Sequence, residues 1–296
     1  MSRILASAVA VVAFAGCGSA VPDEEIEGRG TGEAAVEQAE AHTDSWAPCG
    51  FTAERVKDIY PGPPGSSPEG LSHADDVLVF SADDGTHGRE PWSSSGEGHG
   101  TRLLKDLRAG TAGSDPTLFT QVGDTVFFVA DDGTSGRELW KTDGTSSGTR
   151  RVKDIQPGAI GSDPMNLTVF KGRLYFTADD GVHGRELWRS DGTESGTLLL
   201  EDFELGPVGS SPEGLVGHGT RLFFSADTTG RGREPWTHDG GIEGATPLDE
   251  IAPGPASSSP GIFVRSGWDL FFAADDGVTG RELWALPFRP PGRCGR

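Results

Sequence analysis

Five tryptophans follow one another at a constant interval of 48 residues, and each ends the same five-residue phrase. The phrase reads Gly-Arg-Glu followed by Pro-Trp or Leu-Trp, and it ends at Trp92, Trp140, Trp188, Trp236 and Trp284. A chain that repeats a unit of this length folds into copies of one supersecondary structure, because each copy buries its apolar face only against its neighbours. The interval therefore predicts a repeat architecture for most of the chain.

Each repeat contains short apolar runs separated by turn-forming dipeptides. In the third repeat the runs lie near residues 165–170, 173–177, 186–190 and 197–202. Pro-Gly, Gly-Ser and Asp-Gly-Thr between the runs favour tight turns, since Gly accepts positive φ and Pro fixes its own φ. Four short strands per repeat predict an all-β fold, and a turn-rich period of about 40 to 50 residues is typical of β-propeller blades.

The two ends of the repeat array are incomplete in a complementary way. The array begins with a lone fourth strand near residues 55–59 and ends after the third strand of its last blade, near Leu286. A ring in which the first segment completes the last blade has no exposed strand edge, whereas a linear solenoid keeps two broken ends. We therefore predict a five-bladed β-propeller over residues 49–296, closed by an N-terminal strand.

Two of the three cysteines bracket the repeat array. Cys49 precedes the first repeat and Cys294 follows the last. A closed ring would bring them together at its seam, and a disulfide there would contribute about 5 kcal/mol at most in the chain-entropy model. We predict this disulfide, with two unrelated free thiols as the alternative.

The first 16 residues resemble a bacterial lipoprotein signal peptide. Arg3 is followed by an apolar run at residues 4–14 that is too short to span a bilayer, and small residues precede Cys17. The resemblance implies cleavage before Cys17, a lipid on its sulfur, and a lipid-anchored protein of the bacterial cell envelope, at the outer membrane or cell surface. An ordinary secretory signal with an incidental Cys17 is the alternative.

Residues 17–48 differ in composition from the repeats, because they contain eight acidic residues against one arginine. Low hydrophobicity with high net charge predicts a flexible acidic tether. The whole chain has a net charge of -20. This acidic balance argues against a nucleic-acid partner and is compatible with cations or a basic partner.

The tryptophan phrase extends into a longer motif in two repeats. Residues 138–145 read Glu-Leu-Trp-Lys-Thr-Asp-Gly-Thr and residues 186–193 read Glu-Leu-Trp-Arg-Ser-Asp-Gly-Thr. They resemble the Glu-Leu-Trp-x-x-Asp-Gly-Thr repeat of secreted and surface proteins of myxobacteria and some other bacteria. The resemblance covers residues 55–286, although Pro91 and Pro235 replace the leucine. It implies the repeat architecture and an envelope location, and it implies no activity.

Paired aspartates follow the second run in four of the five repeats. Ca²⁺ binds several carboxylate and carbonyl oxygens supplied by turn-forming segments, so these pairs are candidate calcium ligands. The alternative is a structural role, in which each aspartate accepts N–H bonds in its own turn and each motif arginine bridges to a neighbouring blade. The candidates are Asp83, Asp84, Asp131, Asp132, Asp179, Asp180, Asp275 and Asp276.

Residues that break the repetition are candidates for function. Glu69 and Glu213 share one phase of the first and fourth repeats, and His87 and His183 occupy loops of the first and third. Two carboxylates around a central cavity would suit a glycoside hydrolase. The histidines lack zinc-site spacing, and no nucleophile elbow, phosphate loop or dinucleotide fingerprint is present.

We therefore expect a monomeric, non-enzymatic binding or interaction module whose protein or glycan ligand the sequence does not identify. The first alternative is a propeller that hydrolyses or binds glycans. The second is a purely structural surface protein.

Overall fold

The computed structural model describes residues 53–241 and 244–287, and every regular element in these ranges is a β-strand. The predicted signal peptide, the tether, Cys17, Cys49 and Cys294 lie outside the described residues. Within the described part of the chain, no helix has the length and apolar character needed to span a membrane.

The strands form five antiparallel sheets, one per repeat, in the order of the chain. The first three blades each contain four strands: β1 (Glu69–Ala74), β2 (Val77–Asp83), β3 (Arg89–Ser94) and β4 (Arg102–Leu103); β5 (Thr117–Val122), β6 (Thr125–Asp131), β7 (Arg137–Thr142) and β8 (Arg150–Arg151); β9 (Met165–Phe170), β10 (Arg173–Asp179), β11 (Arg185–Ser190) and β12 (Leu198–Glu201). The fourth and fifth blades complete the array: β13 (Glu213–His218), β14 (Arg221–Thr228), β15 (Gly232–His238) and β16 (Ala245–Pro247); β17 (Val264–Ser266), β18 (Asp269–Asp275) and β19 (Arg281–Pro287). These propeller-like blades confirm the all-β repeat architecture.

The strand register repeats with the sequence. In every blade the motif tryptophan lies opposite a phenylalanine of the second strand, as Trp140 lies opposite Phe128. The aspartate that ends the second strand lies opposite the motif arginine, as Asp131 lies opposite Arg137. Because side chains alternate between the faces of a strand, this register sends every second residue of the central strands towards the preceding blade and the others towards the following blade.

The hydrophobic core lies between neighbouring blades. Phe127 and Leu139 of the second blade pack against Leu174, Phe176 and Trp188 of the third, and all five are buried. Equivalent clusters join the third blade to the fourth and the fourth to the fifth. Burying one such side chain contributes about 1.5 to 3 kcal/mol, so each blade depends on its neighbours for most of its stability.

The closing strand of the predicted ring is not formed. Residues 53–58 contain no strand among the described residues, and the fifth sheet ends at three strands. Lys57 contacts the first blade, where its Nζ donates to the carbonyl of Thr101 at 2.6 Å and lies 5.9 Å from the centre of the Trp92 ring. Leu283 on the last strand is 72% exposed. Among the described residues, no fourth strand pairs with β19 of the fifth blade.

Candidate functional site

The paired aspartates form one tight turn after the second strand of the blade. Asp83 accepts the Gly85 N–H at 2.7 Å, and Asp84 accepts the N–H groups of Thr86 and His87, both at 2.8 Å. The turn needs glycine at position 85, where φ is +78°, because an L side chain is strained there. The same bonds recur at Asp131 and Asp132, Asp179 and Asp180, and Asp275 and Asp276.

The second aspartate of each pair is held in its charged form. Partial burial opposes ionisation of Asp84, but hydrogen bonds from the His87 amide and ring outweigh it and lower the pKa of the carboxyl. For Asp132, partial burial is likewise outweighed by hydrogen bonds from Ser135 and Thr134, and its pKa is lowered. These carboxylates therefore act as acceptors within their own turns.

The sequence also makes these aspartates candidate calcium ligands. Within residues 53–241 and 244–287, no group of three or more Asp, Glu, His or Cys side chains is placed to hold a metal ion. The aspartates of one pair serve the same turn, and the histidine beside Asp84 or Asp180 is hydrogen-bonded to that carboxylate. Calcium binding stays a prediction.

The two candidate histidines pair with aspartates of their own loops. His87 Nδ1 lies 2.7 Å from Asp84 Oδ2, and His183 Nδ1 lies 2.7 Å from Asp180 Oδ2. The hydrogen bond to the aspartate raises the pKa of each histidine. In the second blade Ser135 fills this place, with its Oγ 3.3 Å from the aspartate. The histidines therefore occupy two separate, locally satisfied sites in the described structure.

The two candidate glutamates also have local partners. Glu69 Oε1 lies 3.9 Å from Arg89 Nη2, and Glu213 Oε2 lies 3.9 Å from Arg233 Nη1. Both glutamate side chains are largely exposed, at 70% and 66%. Each pair lies within one blade, so the shared sequence phase of the glutamates corresponds to a repeated surface ion pair.

The motif glutamate has a role that sequence reasoning missed. Glu138 is fully buried and accepts the N–H groups of Ile155, Gln156 and Ser162 at 3.3, 3.0 and 3.0 Å, and the Ser162 hydroxyl at 2.6 Å. These donors lie in the linker, the segment between the fourth strand of one blade and the first strand of the next. We call Glu90, Glu138, Glu186 and Glu234 the interblade glutamates, since each binds the linker that follows its blade.

Burial changes the ionisation of Glu90, Glu138 and Glu186. Desolvation raises the pKa of Glu90 and Glu138, and it raises the pKa of Glu186 to about 7. The motif arginine contacts the linkers on both sides of its blade. Arg137 donates to the Asp115 carbonyl of the preceding linker at 3.2 Å, and its Nε lies 3.6 Å from Asp163 Oδ1 in the linker that follows. The arginine contact expected from the sequence thus stands beside a glutamate contact to the same linker. A serine 24 residues after each interblade glutamate was the available sequence signal.

Four large aliphatic side chains are exposed in and around the aspartate loops of the second and third blades. Ile160 is 81% exposed in the linker before the third blade, against the second blade's loop, since a Cβ added to Gly136 would collide with the Ile160 carbonyl carbon. Val182 is 63% exposed in the third blade's loop, and Leu205 and Val208 are 85% and 80% exposed in the linker after that blade. We call these four residues the aliphatic rim. The loop and the linker touch, because a Cβ added to Gly184 would lie 2.6 Å from the carbonyl carbon of Val208.

The aliphatic rim breaks the internal repetition. The positions equivalent to Ile160 and Val208 hold proline or alanine in the other repeats, and those equivalent to Leu205 do the same. A valine equivalent to Val182 occurs only at Val278, in the fifth repeat. Sequence reasoning missed this cluster because its members lie in three separate segments.

A polar cavity of about 310 Å³ adjoins the rim at Val208. Its lining includes Glu204 and Asp227, with Arg233 on another side. Glu204 accepts hydrogen bonds from the amide and hydroxyl of Thr229, which lower the pKa of its carboxyl. The cavity thus places negative charge beside the exposed aliphatic side chains.

Comparisons with known proteins give only distant likenesses to solved structures. A scan against protein-family models gives no match, and a search of curated protein sequences gives none. Among solved structures, the chain is similar to puromycin hydrolase (16% identity, TM-score 0.46, 81% of this chain and 39% of that chain), a GH74 enzyme of Niastella koreensis (10%, 0.42, 71% and 34%) and the acylaminoacyl peptidase of Pyrococcus horikoshii (13%, 0.40, 69% and 32%). The chain spans less than two-fifths of the length of each, and likeness at these scores carries no conclusion on activity.

Proposed function

We propose that this chain is a non-enzymatic interaction module of the bacterial cell envelope that binds a protein partner through the aliphatic rim. The exposure of the rim carries the proposal. Four large aliphatic side chains, each at least 63% exposed, lie in and beside two successive aspartate loops, at positions where the other repeats hold mainly small or polar residues. Exposed apolar patches on soluble domains mark interaction sites, because covering each such side chain contributes about 1.5 to 3 kcal/mol.

The charge around the rim favours a basic partner. Glu204 and Asp227 line the adjacent cavity, and the whole chain has a net charge of -20. Opposite charge on the partner speeds encounter and selects against acidic proteins. The partner best suited to the rim has an apolar face flanked by lysine or arginine.

The roles of the other candidates support binding over hydrolysis. Glu69 and Glu213 take part in ion pairs with arginines of their own blades, and the described paired aspartates hold their own turns. General acid and base catalysis of glycoside hydrolysis needs two carboxylates that flank one bond.

The envelope location rests on the sequence. We propose that Cys17 carries the lipid and that residues 17–48 tether the blades to the membrane. We propose a disulfide between Cys49 and Cys294. Mass spectrometry of the mature protein tests both: the account expects a lipidated Cys17 peptide and a non-reduced peptide that joins Cys49 to Cys294. An unmodified Cys17 in the mature chain rules out the anchor, and free thiols rule out the bridge.

A peptide-binding experiment tests the function. The probe is a synthetic peptide in which leucine and lysine alternate, and a leucine–glutamate peptide serves as the charge control. In the full-length chain, Val208→Ser should weaken binding of the leucine–lysine peptide about tenfold, the loss expected from about 1.4 kcal/mol of apolar burial. Val278→Ser is the matched control, because Val278 is 88% exposed at the fifth blade's aspartate loop, outside the rim. Equal weakening by both substitutions would mean that binding is diffuse electrostatic attraction, and would contradict the proposal.

A further inference from the structure

Each internal junction joins one side of a blade to the linker and the opposite side of the next blade. At the junction of the second and third blades, Glu138 binds the linker, and Phe127 and Leu139 cover the apolar face of the next blade. We call the side that carries these residues the C-terminal face of a blade, and the opposite side its N-terminal face. Glu90, Glu186 and Glu234 repeat the contact at the other three junctions.

The C-terminal face of the fifth blade has no blade against it among the described residues. Glu282 and Leu283 are the equivalents of Glu138 and Leu139, which are both fully buried. Glu282 is exposed and Leu283 is 72% exposed. Phe271, the equivalent of the buried Phe127, is only half-buried.

The first blade presents an N-terminal face that is uncovered and already shaped. A mainly apolar groove of about 250 Å³ is lined by residues that include Ile59, Leu71, Leu78 and Phe80, and Leu71 is 64% exposed. The segment before this blade adopts the geometry of a linker, because the Ser66 carbonyl accepts the Asp83 N–H at 3.0 Å.

The same linker contacts recur at the covered junctions. The Ser114 carbonyl accepts the Asp131 N–H at 2.9 Å. Lys105 Nζ donates to the Thr149 carbonyl at 2.8 Å, as Lys57 donates to that of Thr101. The first blade thus has the linker contacts and the N-terminal face of an internal junction, and no blade packs against that face among the described residues.

We propose that the fifth blade of one copy of this chain docks on the first blade of a second copy, head to tail. Glu282 of the first copy would accept the N–H groups of Ile59 and Tyr60 and the hydroxyl of Ser66 in the second, which are the positions that Glu90 binds at Leu107, Arg108 and Ser114. Leu283 and Phe271 would fill the groove. The acceptor on the fifth blade and the donors before the first blade stand at the same repeat positions as in the four internal junctions, so the contact would repeat one that the chain already makes.

The occupant is a second copy because, within residues 53–241 and 244–287, the chain's own fifth blade does not cover the N-terminal face of its first blade. A heterologous contact of this kind continues into a ring or an open filament, depending on the rotation between copies. This inference replaces the expectation of a monomer, and it does not depend on the aliphatic rim.

Sedimentation velocity of the full-length chain in detergent, over a concentration series, tests the proposal. The wild type should sediment faster as concentration rises, and Glu282→Ala and Leu283→Asp should sediment as the smallest species throughout. Val278→Ser, an exposed change on the same blade away from the face, should behave as the wild type. The melting temperature of the wild type should also rise with concentration, since association stabilises the folded state.

Each contrary result is informative. A wild type that stays monomeric at every concentration overturns the proposal. If Glu282→Ala then lowers the melting temperature of that monomer, the two faces meet within one chain as a closed ring. If it leaves the melting temperature unchanged, neither face is used. Because Glu282 and Leu283 are exposed in the single chain, loss of association by the variants cannot be attributed to misfolding when their circular dichroism matches the wild type.

Discussion

Removal of an interblade glutamate should destabilise the array far more than removal of an exposed glutamate would. The change is Glu138→Ala, which deletes the acceptor of three backbone N–H groups and one hydroxyl in a buried site. A buried donor left without an acceptor costs about 1 to 3 kcal/mol. Release of the desolvated carboxylate and entry of water offset part of the sum, so we expect a loss of about 3 to 5 kcal/mol.

The assay is urea unfolding of dilute protein followed by circular dichroism, with thermal unfolding as a second measure. For an array of this size, about 4 kcal/mol corresponds to a decrease of roughly 10 °C in melting temperature. The control is Glu282→Ala, because Glu282 stands in the same motif but is exposed in the single chain. That change should stay within about 0.5 kcal/mol under dilute conditions. A loss below about 1 kcal/mol for Glu138→Ala would refute the role assigned to the interblade glutamates.

Three further predictions concern ionisation and backbone strain. Burial raises the pKa of Glu186 to about 7 from an ordinary 4.5. Its contribution to the unfolding free energy is therefore complete below about pH 4.5 and is lost as pH rises through 7. Glu186→Gln should flatten the dependence of the unfolding free energy on pH between pH 5 and 8, and an unchanged slope would contradict this. Burial lowers the pKa of His238, whose Nδ1 accepts a backbone N–H, so the unfolding free energy should fall as pH drops below about 6.5. The double change His238→Thr with Ala245→Thr gives the fourth blade the hydroxyl pair that Thr142 and Thr149 form in the second, and it should abolish this fall. Persistence of the fall would exclude His238 as its cause. Leu118 has a φ of +58° where the first and fourth repeats have glycine, so Leu118→Gly should raise the unfolding free energy by about 1 kcal/mol in the same urea assay, and a loss would show that the strain estimate is wrong.

The sequence was sufficient for the blades and their boundaries. The interval between tryptophans predicted the repeat, and alternating apolar residues predicted the central strands, because both follow from one strand register copied five times. The Asp-Asp-Gly turns were also readable, since aspartate and glycine favour that backbone locally.

The contacts between repeats could not be predicted. A charged residue such as Glu138 is expected at the surface, and only its fully buried position in the structure shows that it holds the next linker. The closing strand was expected from complementary ends, yet residues 53–58 contain no strand, and the fifth sheet has three strands among the described residues. The aliphatic rim could not be predicted because its members come together only once each linker is folded against the loop of the blade before it, as the linker at Val208 is folded against the loop that carries Val182.

Hydrogen exchange of the full-length chain, with and without the leucine–lysine peptide, tests the binding function most directly. The account predicts slower exchange in the peptide complex at the three segments that carry the aliphatic rim, residues 156–163, 179–184 and 204–211. Exchange at residues 275–280, the equivalent loop of the fifth blade, should be unchanged. Protection spread evenly over all aspartate loops, or absent from the third blade, would contradict the claim that the aliphatic rim is the interaction surface of this protein.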